Sequence, residues 1–186
     1  MVRLGLLVCV LLGACGFELS LDTPLGDGGD AVDAAVTLDG DDPVPACPLT
    51  YTAGYRFDAT LRTWLVAEQA CEADLPGHTH LVVLETEEER ALVGELAQTL
   101  PGDAWIGMVR DPGGTAPWPW RYVTGGAAAF APFEGGEPNN LNGNQLVVVL
   151  RKGSRFLYDY GVVEQVYSIC ECDHRPPVNA DYDPGS

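Results

Sequence analysis

The run in this chain best suited to chemistry is Glu137-Pro138-Asn139. A carboxylate and an amide flank a proline. Calcium is a hard cation that takes about 6–8 oxygen ligands, and both side chains offer oxygen. A bond to proline adopts the cis form at little cost, and a cis bond folds its flanking side chains to one side, where both can aim at one ion. The same three residues would also serve as an ordinary turn, and Asn139-Asn140-Leu141-Asn142-Gly143 is common loop chemistry. Signals for catalysis are missing. There is no GxSxG, no phosphate-cradling glycine loop, no HExxH and no defensible Ser-His-Asp set. Glu87, Glu88 and Glu89 open a helix and do not pair as an acid and a base. His78 and His80 flank a turn and a strand start. The chemistry points to binding, not to an enzyme.

The chain has six cysteines. Cys9 and Cys15 fall in the N-terminal apolar stretch, which leaves Cys47, Cys71, Cys170 and Cys172. An even number in an exported chain implies two disulfides. Three pairings are possible, and spacing alone does not choose. Cys170 and Cys172 would share one face of a strand. Closing long loops would stabilise by about 3–5 kcal/mol each in the chain-entropy model. Zinc is the rival, but no second CxC or CxxC accompanies the first, and the histidines are not at ligand spacing.

These residues need elements to carry them. Tyr51 to Phe57 reads as an opening strand. Asp58 or Thr60 caps a helix through about Cys71, with Leu61, Trp64, Leu65, Glu68 and Cys71 as its inward stripe. Leu81 to Leu84 is a short apolar strand. Thr86 and Glu89 form a capping box for a helix to about Gln98, with Leu92, Val93 and Leu96 inward. Trp105 to Met108 is a buried strand. From Asp111 to Asn144 the chain is rich in Gly, Pro and Asn, and long irregular stretches in compact domains usually carry function. Strands at Leu146–Leu150, Phe156–Tyr160 and Val166–Cys172 follow. The order predicts an α+β domain, two helices flanking a mostly antiparallel sheet with a long irregular loop region.

Outside this domain, Met1 to Cys15 has a basic start, a short apolar run and Leu12-Gly13-Ala14-Cys15. It resembles a bacterial lipoprotein signal peptide, with Cys15 as the lipidated residue. Residues 16–46 carry eight acids and no Lys or Arg, so they read as an acidic disordered tether. Asp27-Gly28-Gly29-Asp30 lacks the alternating ligands of a calcium loop. Residues 176–186 read as a flexible tail. The expected location is the cell envelope, an exported lipoprotein at the outer membrane or cell surface, touching the membrane only through its anchor. The formal charge is −17, and the domain is still acidic without its tether, which argues against nucleic acid as partner.

Taken in order, Thr63-Trp64, Ala70-Cys71, Leu81-Val82-Val83-Leu84-Glu85, Trp105-Ile106-Gly107-Met108, Tyr122-Val123-Thr124-Gly125, Glu137-Pro138-Asn139 and Ser168-Ile169-Cys170-Glu171 resemble the C-type lectin-like domain, with a similarity over residues 47–173 of an expected domain at residues 47–175. The resemblance implies a Cys71–Cys170 disulfide, leaving Cys47–Cys172. The family's loop-side disulfide has no counterpart here. It also implies one calcium ion, held by Glu137, Asn139, Asn144 and Asp159, which would bind sugar hydroxyls directly. Glu-Pro-Asn is similar to the mannose, N-acetylglucosamine, fucose and glucose type. Asn144 stands where the family has a Glu, and Tyr158 where it has an Asn, so calcium binding should be weaker. A second calcium site is not expected, and Asp111 reads as a turn residue. Trp118 and Trp120 could stack on a sugar, although Trp120 suits the core. The implied partner is a glycan or glycoprotein; the alternative is a protein partner bound without calcium.

Overall fold

The computed structural model of the protein describes residues 43–110 and 119–178. The expected signal segment with Cys15, the tether through Asp42, Asp111, Trp118 and the tail beyond Val178 lie outside them. These described residues belong to one compact unit. Its strands are β1 (Tyr55–Arg62), β2 (Thr79–Leu81), β3 (Ala104–Arg110), β4 (Trp120–Tyr122), β5 (Gln145–Leu150), β6 (Leu157–Gly161) and β7 (Val166–Cys172). Its helices are α1 (Trp64–Glu72) and α2 (Glu87–Leu96). The strands form one sheet in the order β1-β7-β3-β5-β6, with β2 also on β7 and β4 also on β3. Every pairing is antiparallel except β3 with β7. The α+β expectation therefore holds, with two helices and a mostly antiparallel sheet.

Local chemistry moves two boundaries. The first strand starts later and runs on through Arg62, which pairs with Val166. Asp58 does not cap a helix. It accepts the Thr60 N–H at 2.9 Å and binds Arg56 and Arg62, holding this stretch extended. Thr63 is the N-cap instead, and Leu61 is a half-exposed strand residue, not part of the helix stripe. The buried face of α1 is Trp64, Ala67, Glu68 and Cys71. In α2 Val93 is buried as expected and Leu96 packs partly buried against the core, but Leu92 is half-exposed and the other buried positions are Arg90 and Gly94. The Arg90 guanidinium lies 4.8 Å from the centre of the Phe156 ring, which accounts for a buried arginine at that position. Thr86 caps α2 as expected, accepting the Glu89 N–H at 3.1 Å, but Glu89 reaches back at 2.8 Å to the N–H of Glu85, one residue before the cap, and not to Thr86 as a strict capping box would.

Val82, Val83 and Leu84 are fully buried beyond the end of β2. Val82 bridges two strands, donating to Ile169 at 2.8 Å and accepting from Gly107 at 2.7 Å. A Cβ on Gly107 would stand 2.4 Å from the Leu81 carbonyl oxygen, so only glycine lets the backbones approach this closely. Trp64 and Trp105 are buried with their indole N–H groups on the carbonyls of Ile106 and Arg62. The disulfides are Cys71–Cys170 and Cys47–Cys172, the pairing that the resemblance implies. Together they fasten α1 and the start of the domain to β7. The first residues of the segment expected to fray are held, because the Val178 N–H donates to Val123 at 2.7 Å. Among the described residues, no helix is long and apolar enough to cross a membrane.

Candidate functional site

The segment between β4 and β5 is irregular yet anchored. The Tyr122 hydroxyl bonds the carbonyls of Leu84 and Phe130, both at 2.9 Å. Trp120 is buried and packs on Phe133 at 5.3 Å between ring centres, so it belongs to the core. Phe133 bridges to Leu157, and the Glu134 N–H donates to Leu157 at 3.1 Å. These contacts lay the segment along β6. A turn at Gly135-Gly136 follows, closed by the Glu137 N–H on Glu134, and the Glu137–Pro138 bond is cis.

Asp159 is the fixed point of the site. It sits in β6 opposite Val148 and is 1 % exposed. Its Oδ1 accepts the Asn139 N–H at 3.1 Å and its Oδ2 the Asn140 N–H at 2.7 Å. Glu137 turns toward the same place. Its Oε2 accepts the Asn139 N–H at 3.2 Å and its Oε1 the Asn139 side-chain amide at 2.8 Å. The Asn139 Oδ1 accepts from Leu141 at 2.8 Å. Burial and the neighbouring Asp159 carboxylate push the Glu137 carboxyl up to about 7, against hydrogen bonds from Asn139 that pull the other way. Two carboxylates and an amide oxygen thus gather at the edge of one loop.

No family model matches the chain, and no curated protein matches it. Solved structures do. The C-type lectin CEL-I from Cucumaria echinata is 22% identical, with a TM-score of 0.59, over 68% of this chain and 96% of that one. The mouse scavenger receptor C-type lectin carbohydrate-recognition domain is 21% identical, with a TM-score of 0.56, over 64% and 87%. A calcium-independent type II antifreeze protein is 20% identical, with a TM-score of 0.57, over 69% and 95%.

The domain has the C-type lectin fold.

Within that fold, three of the four expected ligand residues, Glu137, Asn139 and Asp159, come together. Asn144 stands apart from their hydrogen bonds. It is exposed, with its Nδ2 3.8 Å from where a Cβ on Gly161 would be. Tyr158 alternates away from Asp159 along β6, and the Arg151 guanidinium lies 4.5 Å from its ring centre. The residue that sequence reasoning missed is Gln145. Its side chain bonds both the Leu141 N–H and, at 2.8 Å, the Asp159 carbonyl, tying the loop to β6. Its place two residues after Gly143, at the start of an apolar strand, is the only signal that could have drawn attention to it. Asn140 and Asn142 have positive φ, which asparagine tolerates better than most residues.

The donors fit calcium in kind, being hard oxygens with two carboxylates among them. They are also close enough for like charges to oppose each other, which a divalent cation would relieve. The set is low in charge for a tight site.

Proposed function

We propose that this domain binds carbohydrate through one calcium site formed by Glu137, Asn139 and Asp159, with Asn144 at its margin. The observation that carries the proposal is the convergence of the Glu137 and Asp159 carboxylates on Asn139. A bound calcium ion would supply a centre that two neighbouring sugar hydroxyls can join. Asp159, buried and held by backbone donors, fixes the floor. Glu137 accepts from one hydroxyl and the Asn139 amide donates to another, exchanging the bond they make with each other. The order Glu-Pro-Asn supports preference for the mannose, N-acetylglucosamine, fucose and glucose type. A glycan array run with and without chelator tests this, and binding indifferent to chelator would remove the mechanism. Glu137→Gln combined with Asn139→Asp should move the preference toward galactose.

One observation favours a second function, a protein-interaction module that needs no calcium. Both Asp159 oxygens are already satisfied by backbone N–H groups, so the loop closes on itself with oxygen ligands engaged. The similarity to a protein described as calcium-independent is in keeping with this. A titration that finds calcium at this loop would count against it. In either case the activity is binding, not catalysis. We also propose that Cys15 carries a lipid that presents the domain from the bacterial envelope; labelling with a fatty-acid analogue, lost in Cys15→Ala, tests that.

A further inference from the structure

His80 lies in the middle of β2, opposite Glu171 of β7, with its side chain fully buried. Its Nδ1 is 2.8 Å from the Leu81 carbonyl oxygen, and its Nε2 is 2.9 Å from Asp173 Oδ1. A carbonyl can only accept, so Nδ1 carries a proton. In the neutral ring, Nε2 then holds the lone pair and faces carboxylate. Among the described residues, the ligand atoms of His80, Glu171 and Asp173 all lie within 4.8 Å of one another.

Each group is held from behind. The Nδ1–H on a backbone carbonyl fixes the tautomer and aims the ring, the arrangement that supports metal-bound histidines. Glu171 Oε2 accepts the Val83 N–H at 3.0 Å. Asp173 Oδ1 accepts the Arg175 N–H at 2.9 Å, and its Oδ2 binds the Arg175 side chain. The side chain of Asp173 is 20% exposed, which gives an ion a way in.

We propose that His80 Nε2, Glu171 and Asp173 form a site for a divalent transition metal of the zinc class, separate from the loop at Glu137. An imidazole nitrogen with two carboxylates suits zinc and its neighbours, whereas calcium takes oxygen alone. Two ligand atoms each about 2.0 Å from a tetrahedral zinc stand about 3.3 Å apart. The 2.9 Å pair of His80 and Asp173 therefore needs to open by only a few tenths of an ångström. One neutral imidazole and two carboxylates match the ion's charge among the ligands themselves, with the Arg175 guanidinium on Asp173 Oδ2 as a further cation beside them. The competing occupant is a proton on Nε2, which would make His80 a buried imidazolium on Asp173. A second convergence, Cys47, Cys172 and His174, takes no metal while its sulfurs are joined.

The test is a cobalt(II) titration of the full chain produced unprocessed and unlipidated, with disulfides intact and the Cys9 and Cys15 thiols alkylated. One equivalent should bring up visible d–d bands without a sulfur-to-cobalt charge-transfer band, and zinc should remove them. Asp173→Asn should weaken binding at least tenfold, and Glu137→Gln should leave it unchanged. Absent bands, or a titration unaltered by Asp173→Asn, would overturn the proposal. Because His80→Gln can cost the fold, the second measurement uses the unaltered sequence. On zinc addition the His80 Nε2 nitrogen resonance should move while Nδ1 stays protonated; an unmoved Nε2 resonance contradicts the site.

Discussion

Glu137 and Asp159 converge on one donor: the backbone N–H of Asn139 lies 3.2 Å from the first carboxylate and 3.1 Å from the second. One residue comes from an irregular loop and the other from the second strand position after Leu157, so the loop–sheet junction is built around this shared donor. The Asn140 N–H, at 2.7 Å from Asp159, completes it.

If the proposed calcium site is right, the Glu137 carboxyl, raised to about 7 by burial and by Asp159, would make calcium binding depend on pH. The protonated acid cannot ligate, so a proton competes with the ion. Calcium affinity should be flat above this value and fall about tenfold per pH unit below it, since one proton is displaced. Titrations at pH 6 and pH 8 check this. Equal affinity at both would mean that Glu137 is not a ligand.

Removing the Asp159 carboxylate should loosen the loop even without calcium. Asp159→Ala takes the acceptor from the Asn139 and Asn140 N–H groups, one of them also held by Glu137. The expected cost is about 1–3 kcal/mol, the penalty for unsatisfied polar groups. Chemical denaturation should show it. Amide exchange should rise first at Asn140, whose N–H has Asp159 as its partner.

How much of this was legible in the sequence depended on the kind of signal. The Thr86 cap and the apolar run of β3 were plain, because each rests on neighbours in the chain. The start of α1 was misplaced because Asp58 looks like a cap; its pairing with Arg56 and Arg62 within the same strand makes it something else. In α2, Val93 and Leu96 were legible but Arg90 was not, because a buried arginine defies a hydrophobicity pattern, and the Phe156 ring that accommodates it is distant in sequence. At the site, the Glu-Pro-Asn run was visible as a motif. Gln145 was not, since its role comes from reaching the Asp159 carbonyl across the β5–β6 pair. His80 looked like a strand-start residue, and nothing local pointed to Asp173.

Stability should fall as pH rises from about 4.5 to about 7. Glu68 is 2 % exposed, with its Oε1 unpartnered, and burial raises its carboxyl to about 7 from an ordinary value near 4.5. The folded state therefore binds a proton that the unfolded chain has already released. Stability from Glu68 is full below about pH 4.5 and is lost between there and about pH 7, by on the order of 3 kcal/mol at most. Glu171 is raised to about 7 by burial and shifts stability the same way. Denaturant midpoints measured in chelator from pH 5 to pH 8 should drop, and Glu68→Gln should flatten part of the drop. A midpoint that rises over this range would contradict the assignment.

Gly107→Ala should destabilise the core by about 1–3 kcal/mol, the usual range for overpacking. Its new methyl would meet the Leu81 carbonyl at 2.4 Å and Val123 at 2.7 Å. Thermal unfolding checks this, and an unchanged midpoint would mean that β2 and β3 can separate freely.

The most direct measurement is a calorimetric calcium titration of the full chain at pH 8, repeated with Glu137→Gln and with Asp159→Asn. One site with a dissociation constant of about 1 mM or tighter, weakened at least tenfold by each substitution, is the predicted result. Calcium heat absent from the unaltered chain, or unchanged in both variants, would contradict it.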